Sequence, residues 1–206
     1  MLCWYIELPS GTACARAGAV DFACMFSLIL RYKYATMSKP DLTRIPPFYH
    51  GYVNLVQIHD LPSAFEKHQT DLAGVLMKIP EEKWDYRYAE GKWSIKELVL
   101  HVIDTERIFA YRALRFSRND RTELPGFEEN LFVEHSEAGR RTKASLLDEL
   151  ATVQKSTAQL IGSFSETQLQ RSGISNGAQV YVEGLAFITI GHVLHHKNVL
   201  MERYGI

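Results

Sequence analysis

KWSIKELVLHVIDTER, residues 92–107, decides the fold, because it fixes where a long helix starts and which way it faces. Ser94 stands as an N-cap and Glu97, three residues on, completes a capping box. The serine hydroxyl and the glutamate carboxylate each take a backbone N–H that the first turn leaves unpaired. Trp93 and Leu98 occupy the positions of a hydrophobic staple. Counting ~100° per residue from this start, Ile95, Leu98, Val99, Val102, Phe109, Ala110 and Ala113 form one apolar stripe of a helix predicted over 95–115. His101 falls at the edge of that stripe and Glu106 near its centre.

The same punctuation recurs on either side. Asp60-Leu61-Pro62 starts an earlier helix with proline where a missing N–H costs nothing, its face is Phe65, His68, Leu72, Val75 and Leu76, and Pro80 ends it. A third helix is predicted from Thr142 to Phe164 on Leu146, Leu147, Leu150, Val153, Leu160 and Ile161. A fourth runs from Val182 to Arg203, with the stripe Leu185, Ile188, His192, His196, Val199 and Leu200. A short leading segment carries Tyr49, Tyr52, Val53 and Val56. No segment alternates apolar with polar residues long enough to suggest a sheet. The expected fold is therefore all-α, a four-helix bundle whose one long crossover, residues 117–141, joins the second and third helices. Connections of that length usually have a purpose.

Length and composition leave little room for other classes. A chain of 206 residues suits one well-buried domain. With 46% hydrophobic and 23% charged residues and a net charge of −1, nothing in it attracts a phosphate backbone, so nucleic acid is not an expected partner. The three cysteines, Cys3, Cys14 and Cys24, fall in the first 24 residues, which suits a reducing cytoplasm. The apolar run CMFSLIL between Asp21 and Arg31 is too short to span a bilayer and lacks the basic start of a secretory signal, so no membrane association is expected. Residues 1–36 read as a dispensable extension with little fold of its own. Residues 37–206 read as the bundle domain, Met37-Ser-Lys-Pro being a natural beginning.

The chemistry concentrates in histidines. In GHVLHHKNVLMERY, residues 191–204, His192 and His196 are ~40° apart around the helix and one turn apart along it, so their rings can converge. His195 stands roughly 60° beyond His192, a rim or supporting position. A buried histidine is most often a hydrogen-bonded core residue. Two in the middle of an apolar stripe need partners, and a metal ion serves both at once. His101 is the preferred third member over His50, His59, His68 and His135, because it stands on a long helix beside the core. Glu106, on a buried stripe, must pair or stay protonated. It could salt-bridge Arg107, Arg112 or Arg203, hold a histidine's second nitrogen, or act as a base. The arginines at 107, 112, 115, 118 and 121 could suggest an anion site, though arginines on a helix are usually solvated. Trp84, Tyr86, Tyr88 and Trp93 could line a pocket mouth or cap the bundle.

From about Met37 to Tyr204 the chain resembles the DinB/YfiT-like family of metal-dependent enzymes. GKWS at 91–94, His101 downstream, the closing GHxxHH at 191–196 and ERY at 202–204 carry the resemblance. It implies an up-down-down-up four-helix bundle with His101, His192 and His196 as ligands of one divalent ion, zinc or nickel foremost, with iron or manganese as alternatives. Thr189 and His195 are not carried over as ligands. Val193 stands where relatives commonly have glutamate, so a carboxylate offered there in some members is missing. The resemblance further implies a homodimer acting on a small-molecule substrate, with a low-molecular-weight thiol as cosubstrate in some relatives and hydrolysis in others. Glu106 and His195 are the candidate catalytic proton acceptors. A non-catalytic metal- or ligand-binding bundle, and a purely structural helical dimer, are the competing readings.

Overall fold

Three of the four long helices begin on a side-chain cap that the sequence supplies. The computed structural model describes residues 39–206, and the extension expected over residues 1–36 lies outside them. The helices are α1 (His50–Val53), α2 (Leu61–Lys78), α3 (Ile95–Ser117), α4 (Glu129–Glu134), α5 (Lys143–Gly162), α6 (Glu166–Leu169) and α7 (Val182–Arg203). Asp60 accepts the Ser63 N–H at 3.0 Å to start α2, and Thr142 accepts the Ser145 N–H at 3.2 Å to start α5. At α3 the capping box is complete, with Ser94 Oγ accepting from Glu97 N–H at 3.2 Å and Glu97 accepting from Ser94 N–H at 2.6 Å.

The four long helices α2, α3, α5 and α7 form the bundle, with α3 and α2 each packed between α5 and α7. Chain direction follows from the contacts. Tyr204 Oη reaches the Trp93 carbonyl at 2.7 Å while His192 packs on Phe109, so α7 runs against α3. Lys143 Nζ meets the Ile79 carbonyl at 2.6 Å and Gln69 meets the Gln154 carbonyl at 3.0 Å, so α5 runs against α2. Arg107 pairs with Glu149 and Arg118 stacks on Phe164, so α3 and α5 run the same way. The order is up-down-down-up. Two neighbouring parallel helices need a connection that travels the whole bundle length, which is why the crossover is long.

That crossover is more structured than the linker expected from the sequence. It contains α4 and a 3-10 turn at Ala138–Arg140. Its Leu124 pairs with Ser175 of a hairpin that hydrophobic alternation does not predict, β1 (Ser172–Ser175) with β2 (Ala178–Tyr181). Asn176 and Gly177 turn the hairpin at φ 52° and 73°, the left-handed pair of a type I′ turn. Four-residue strands are too short to register as alternation, but the Asn-Gly dipeptide was their signal.

Helix α7 also departs from expectation. Its first twelve residues, 182–193, are buried on every side, not along one stripe. The leading segment is the reason, since α1 lies against α7 and covers the face that a four-helix bundle alone would leave to solvent. His50 fixes this segment by meeting the carbonyls of Leu42 and Ile45 at 3.1 and 2.9 Å. Trp84, a candidate for a pocket mouth, is instead fully buried among Leu76, Ile95 and Leu146.

Candidate metal centre

His101 on α3 meets His192 and His196 on α7 in the bundle interior, all three buried. His192 Nε2 lies 3.1 Å from His101 Nε2 and 3.0 Å from His196 Nε2. All three ligand atoms fall within 4.8 Å of one another. Tetrahedral nitrogen ligands ~2.1 Å from one ion stand about 3.4 Å apart, so the observed spacing needs only a few tenths of an ångström of opening. Three like-pointing nitrogens packed this closely cannot all be satisfied by one another, since a neutral imidazole has a single N–H. The donor set fits a divalent ion of borderline softness.

Burial dictates the protonation state. Desolvation holds His101 down to about 4 and pushes His192 and His196 well below the usual imidazole range, reinforced by their mutual repulsion. The rings are neutral, as ligands must be. They are oriented by packing more than by hydrogen bonds. Trp93 lies 4.7 Å from the His101 ring, and Tyr52 and Phe109 meet His192 edge-on at 5.6 and 6.0 Å. The Thr105 hydroxyl is 3.5 Å from His101 Nδ1, a long contact, and His196 Nδ1 has no protein partner. Metal-binding histidines ordinarily rest on a carboxylate or carbonyl that raises their basicity. Here that support is weak.

The cluster opens on a cavity of about 150 Å³ walled by Tyr49, Tyr52, Phe109 and Phe127, with Arg112 in its side. The crossover supplies Phe127, Gly126 and Glu129, and the hairpin turn supplies Asn176. Trp93 is not part of this wall, although it packs on His101. Of the leading-segment aromatics, Tyr49 and Tyr52 pack on this chain's own site, while Phe48 is 76% exposed.

Of the two candidate proton acceptors, His195 is half-buried with its ring 5.0 Å from His196 and 5.2 Å from Tyr52. Burial lowers its basicity and the Glu202 carboxylate partly restores it. Glu106 is 1% exposed and pairs with none of the arginines the sequence suggested, nor does it hydrogen-bond any of the three imidazoles. Arg107 is engaged by Glu149 at 2.7 Å, and Arg112 donates to the Pro125 carbonyl at 3.0 Å. The nearby Thr157 hydroxyl lowers the Glu106 pKa slightly, but its hydrogen is committed to the Val153 carbonyl at 3.0 Å. The ion-pair expectation for Glu106 is therefore overturned, because α3 turns that side chain toward α5 and away from the arginines.

Desolvation raises Glu106 from 4.5 to about 7. The folded chain then holds a proton that the unfolded chain releases from pH ~4.5 upward, so this group costs stability as pH rises to about 7. The full cost is roughly 3 kcal/mol. In paired urea titrations, Glu106→Gln is expected to gain roughly 2 kcal/mol on wild type between pH 5 and pH 8. The histidine terms, of opposite slope, cancel in that difference. An advantage that does not change with pH would show that the carboxyl is not buried neutral.

The family model of the DinB superfamily matches residues 64–200. Among solved structures, YfiT from Bacillus subtilis, described as "a probable metal-dependent hydrolase with an unusual four-helix bundle topology", superposes with a TM-score of 0.60 at 15% identity, over 84% of this chain and 94% of that one. The DinB-like protein YjoA from Bacillus subtilis superposes with a TM-score of 0.51 at 22% identity, over 68% of this chain and 86% of that one. No curated protein matches the chain. Among the described residues, no helix is long and apolar enough to cross a membrane.

Proposed function

The chain belongs to the DinB superfamily, and from that premise we propose that it is a divalent-metal-dependent enzyme that delivers a small nucleophile to an electrophilic substrate. The observation that carries this reading is the convergence of three buried imidazoles, two of which, His101 and His192, line an aromatic-walled cavity. His101, His192 and His196 would hold the ion, with zinc or nickel the best fit to three nitrogen donors. When bound, the ion supplies Lewis acidity that makes a thiol or water beside it more acidic.

The chain's own residues supply the rest. No cysteine occurs after Cys24, so a thiol nucleophile has to arrive as a cosubstrate, and the family resemblance favours such a thiol while the description of YfiT favours water. Tyr49, Tyr52 and Phe109 would exclude bulk water and hold the substrate's apolar body. His195 is the better-placed proton acceptor, since its ring flanks His196, and Glu106 is the more remote one.

The test is elemental analysis of protein purified without added metal or a histidine-rich tag, followed by turnover assays. Metal-loaded protein is expected to accelerate conjugation of a small thiol to a reactive electrophile, or hydrolysis of a small ester or amide, and His196→Ala to abolish the rate. Equal rates for metal-free, metal-loaded and variant protein would leave a non-catalytic metal-binding bundle as the better account.

A further inference from the structure

Arg112 sits in the wall of the cavity that exposes His101 and His192, and it is 3% exposed. A guanidinium carries five N–H donors and keeps its charge at any physiological pH. This one meets a single protein acceptor, the Pro125 carbonyl. Among the described residues no carboxylate pairs with it, whereas Arg107 and Arg115 on the same helix pair with Glu149 and Asp120. The Arg112 guanidinium also lies 5.8 Å from the Phe109 ring centroid, a weak cation–π contact, but a buried charge with no carboxylate partner is costly. Holding one carbonyl of the crossover does not account for it, because a neutral amide would do that without the charge. Arg112 lines the cavity, so the donors that the Pro125 carbonyl leaves over are the polar hydrogens nearest to a molecule held there.

The surroundings say what those donors would meet. Arg112 is the one arginine or lysine in the lining, and the one carboxylate there, Glu129, stands at the exposed rim. The interior of the cavity is therefore net positive even before any ion is added. Its walls are aromatic, and a cavity of about this volume holds a molecule the size of benzene. Arg112 lies eleven residues after His101, ~20° from it around the helix axis, and helical side chains lean toward the N-terminus. The guanidinium is thus carried back toward the histidines along the same face.

We infer that Arg112 anchors a carboxylate, so that the molecule brought to the three histidines is a small organic acid with an apolar, ring-sized body. This names the substrate class of the reaction proposed above and rests on that reading for the word substrate. The anion site itself rests on Arg112 and the cavity. A planar carboxylate matches the guanidinium fork with two parallel hydrogen bonds.

Calorimetric titration with benzoate and with its neutral isostere benzamide tests the inference, in protein as purified and after chelation, for wild type, Arg112→Lys and Arg112→Gln. Wild type is expected to bind benzoate at least about ten-fold more tightly than benzamide in both states. The preference should shrink in Arg112→Lys and vanish in Arg112→Gln. A crystal soaked with 4-bromobenzoate needs no variant to fold, and should place the carboxylate on Arg112. Equal binding of acid and amide overturns the inference, as does inorganic phosphate displacing benzoate at lower concentration than any carboxylate. A preference that disappears on chelation yet survives Arg112→Gln puts the anion on the metal, which overturns the anion site and leaves the metal reading standing. An Arg112-dependent preference in protein that never binds metal supports the anion site and sinks the metal-dependent reading instead.

Discussion

His192→Ala is expected to abolish stoichiometric binding of a divalent ion. Its Nε2 stands between the other two, 3.1 Å from His101 and 3.0 Å from His196, so its loss removes one ligand and the contact that aligns both others. Changes behind a metal ligand already cost ~10–100-fold in affinity. Loss of the ligand itself should therefore cost at least ~10³-fold, with little hydrogen-bond support behind the other two rings to compensate. Thermal melts provide the measurement. Metal at a hundred times its Kd adds about 2.7 kcal/mol to the wild type, raising Tm by several degrees. The variant should show no metal-dependent rise, while metal-free wild type and variant melt within a few degrees of each other. A variant that keeps one tightly held ion would remove His192 from the centre.

Gly191→Ala should produce the largest loss of stability. A Cβ at this position would stand 2.1 Å from the Tyr52 carbonyl oxygen and 2.4 Å from its carbon, both backbone atoms of α1. Only glycine lets α1 approach α7 this closely, which explains the glycine of the GHxxHH motif by packing. The chain can accommodate a methyl group only by pushing α1 outward, and with it Tyr52, whose ring lies on His192. Overpacking of this kind costs about 1–3 kcal/mol or somewhat more, a fall of roughly 10 °C for a chain of this size. Metal affinity should fall with it. Gly74→Ala is the control, since a Cβ there meets nothing within 4 Å. In mid-helix that change is expected to stabilise by up to ~1 kcal/mol. If Gly191→Ala melts no lower than wild type, the close approach of α1 to α7 is not what the glycine serves.

What was legible in the sequence was local. Ser94 with Glu97, Asp60 with Pro62, and Thr142 each start a helix through groups one to four residues away, so the starts of three of the four long helices needed no tertiary information. The i, i+4 spacing of His192 and His196 fixes their shared face for the same reason. Arg112 carried a readable signal too, because the helical repeat puts it on the His101 face. It was masked by four neighbouring arginines that do behave as surface residues. The Asn176-Gly177 turn was likewise present as a dipeptide, but its strands were too short to announce themselves.

Tertiary structure alone decided the rest. Which third histidine joins the pair depends on α3 lying antiparallel beside α7, a relation between residues ninety-one positions apart that no helical period encodes. Burial of α7 on every side depends on the leading segment folding back over it. The fate of Glu106 depends on whether a cation happens to face it across α5, and none does. Helix caps and hydrophobic periods act over one turn of chain, whereas burial, charge pairing and the closing of a cavity are set by which surfaces meet. The sequence by itself therefore determined the helices and the faces they present, and only the packing of those faces decided that three rings converge, that a carboxyl is left neutral, and that a guanidinium is left without a carboxylate partner beside them.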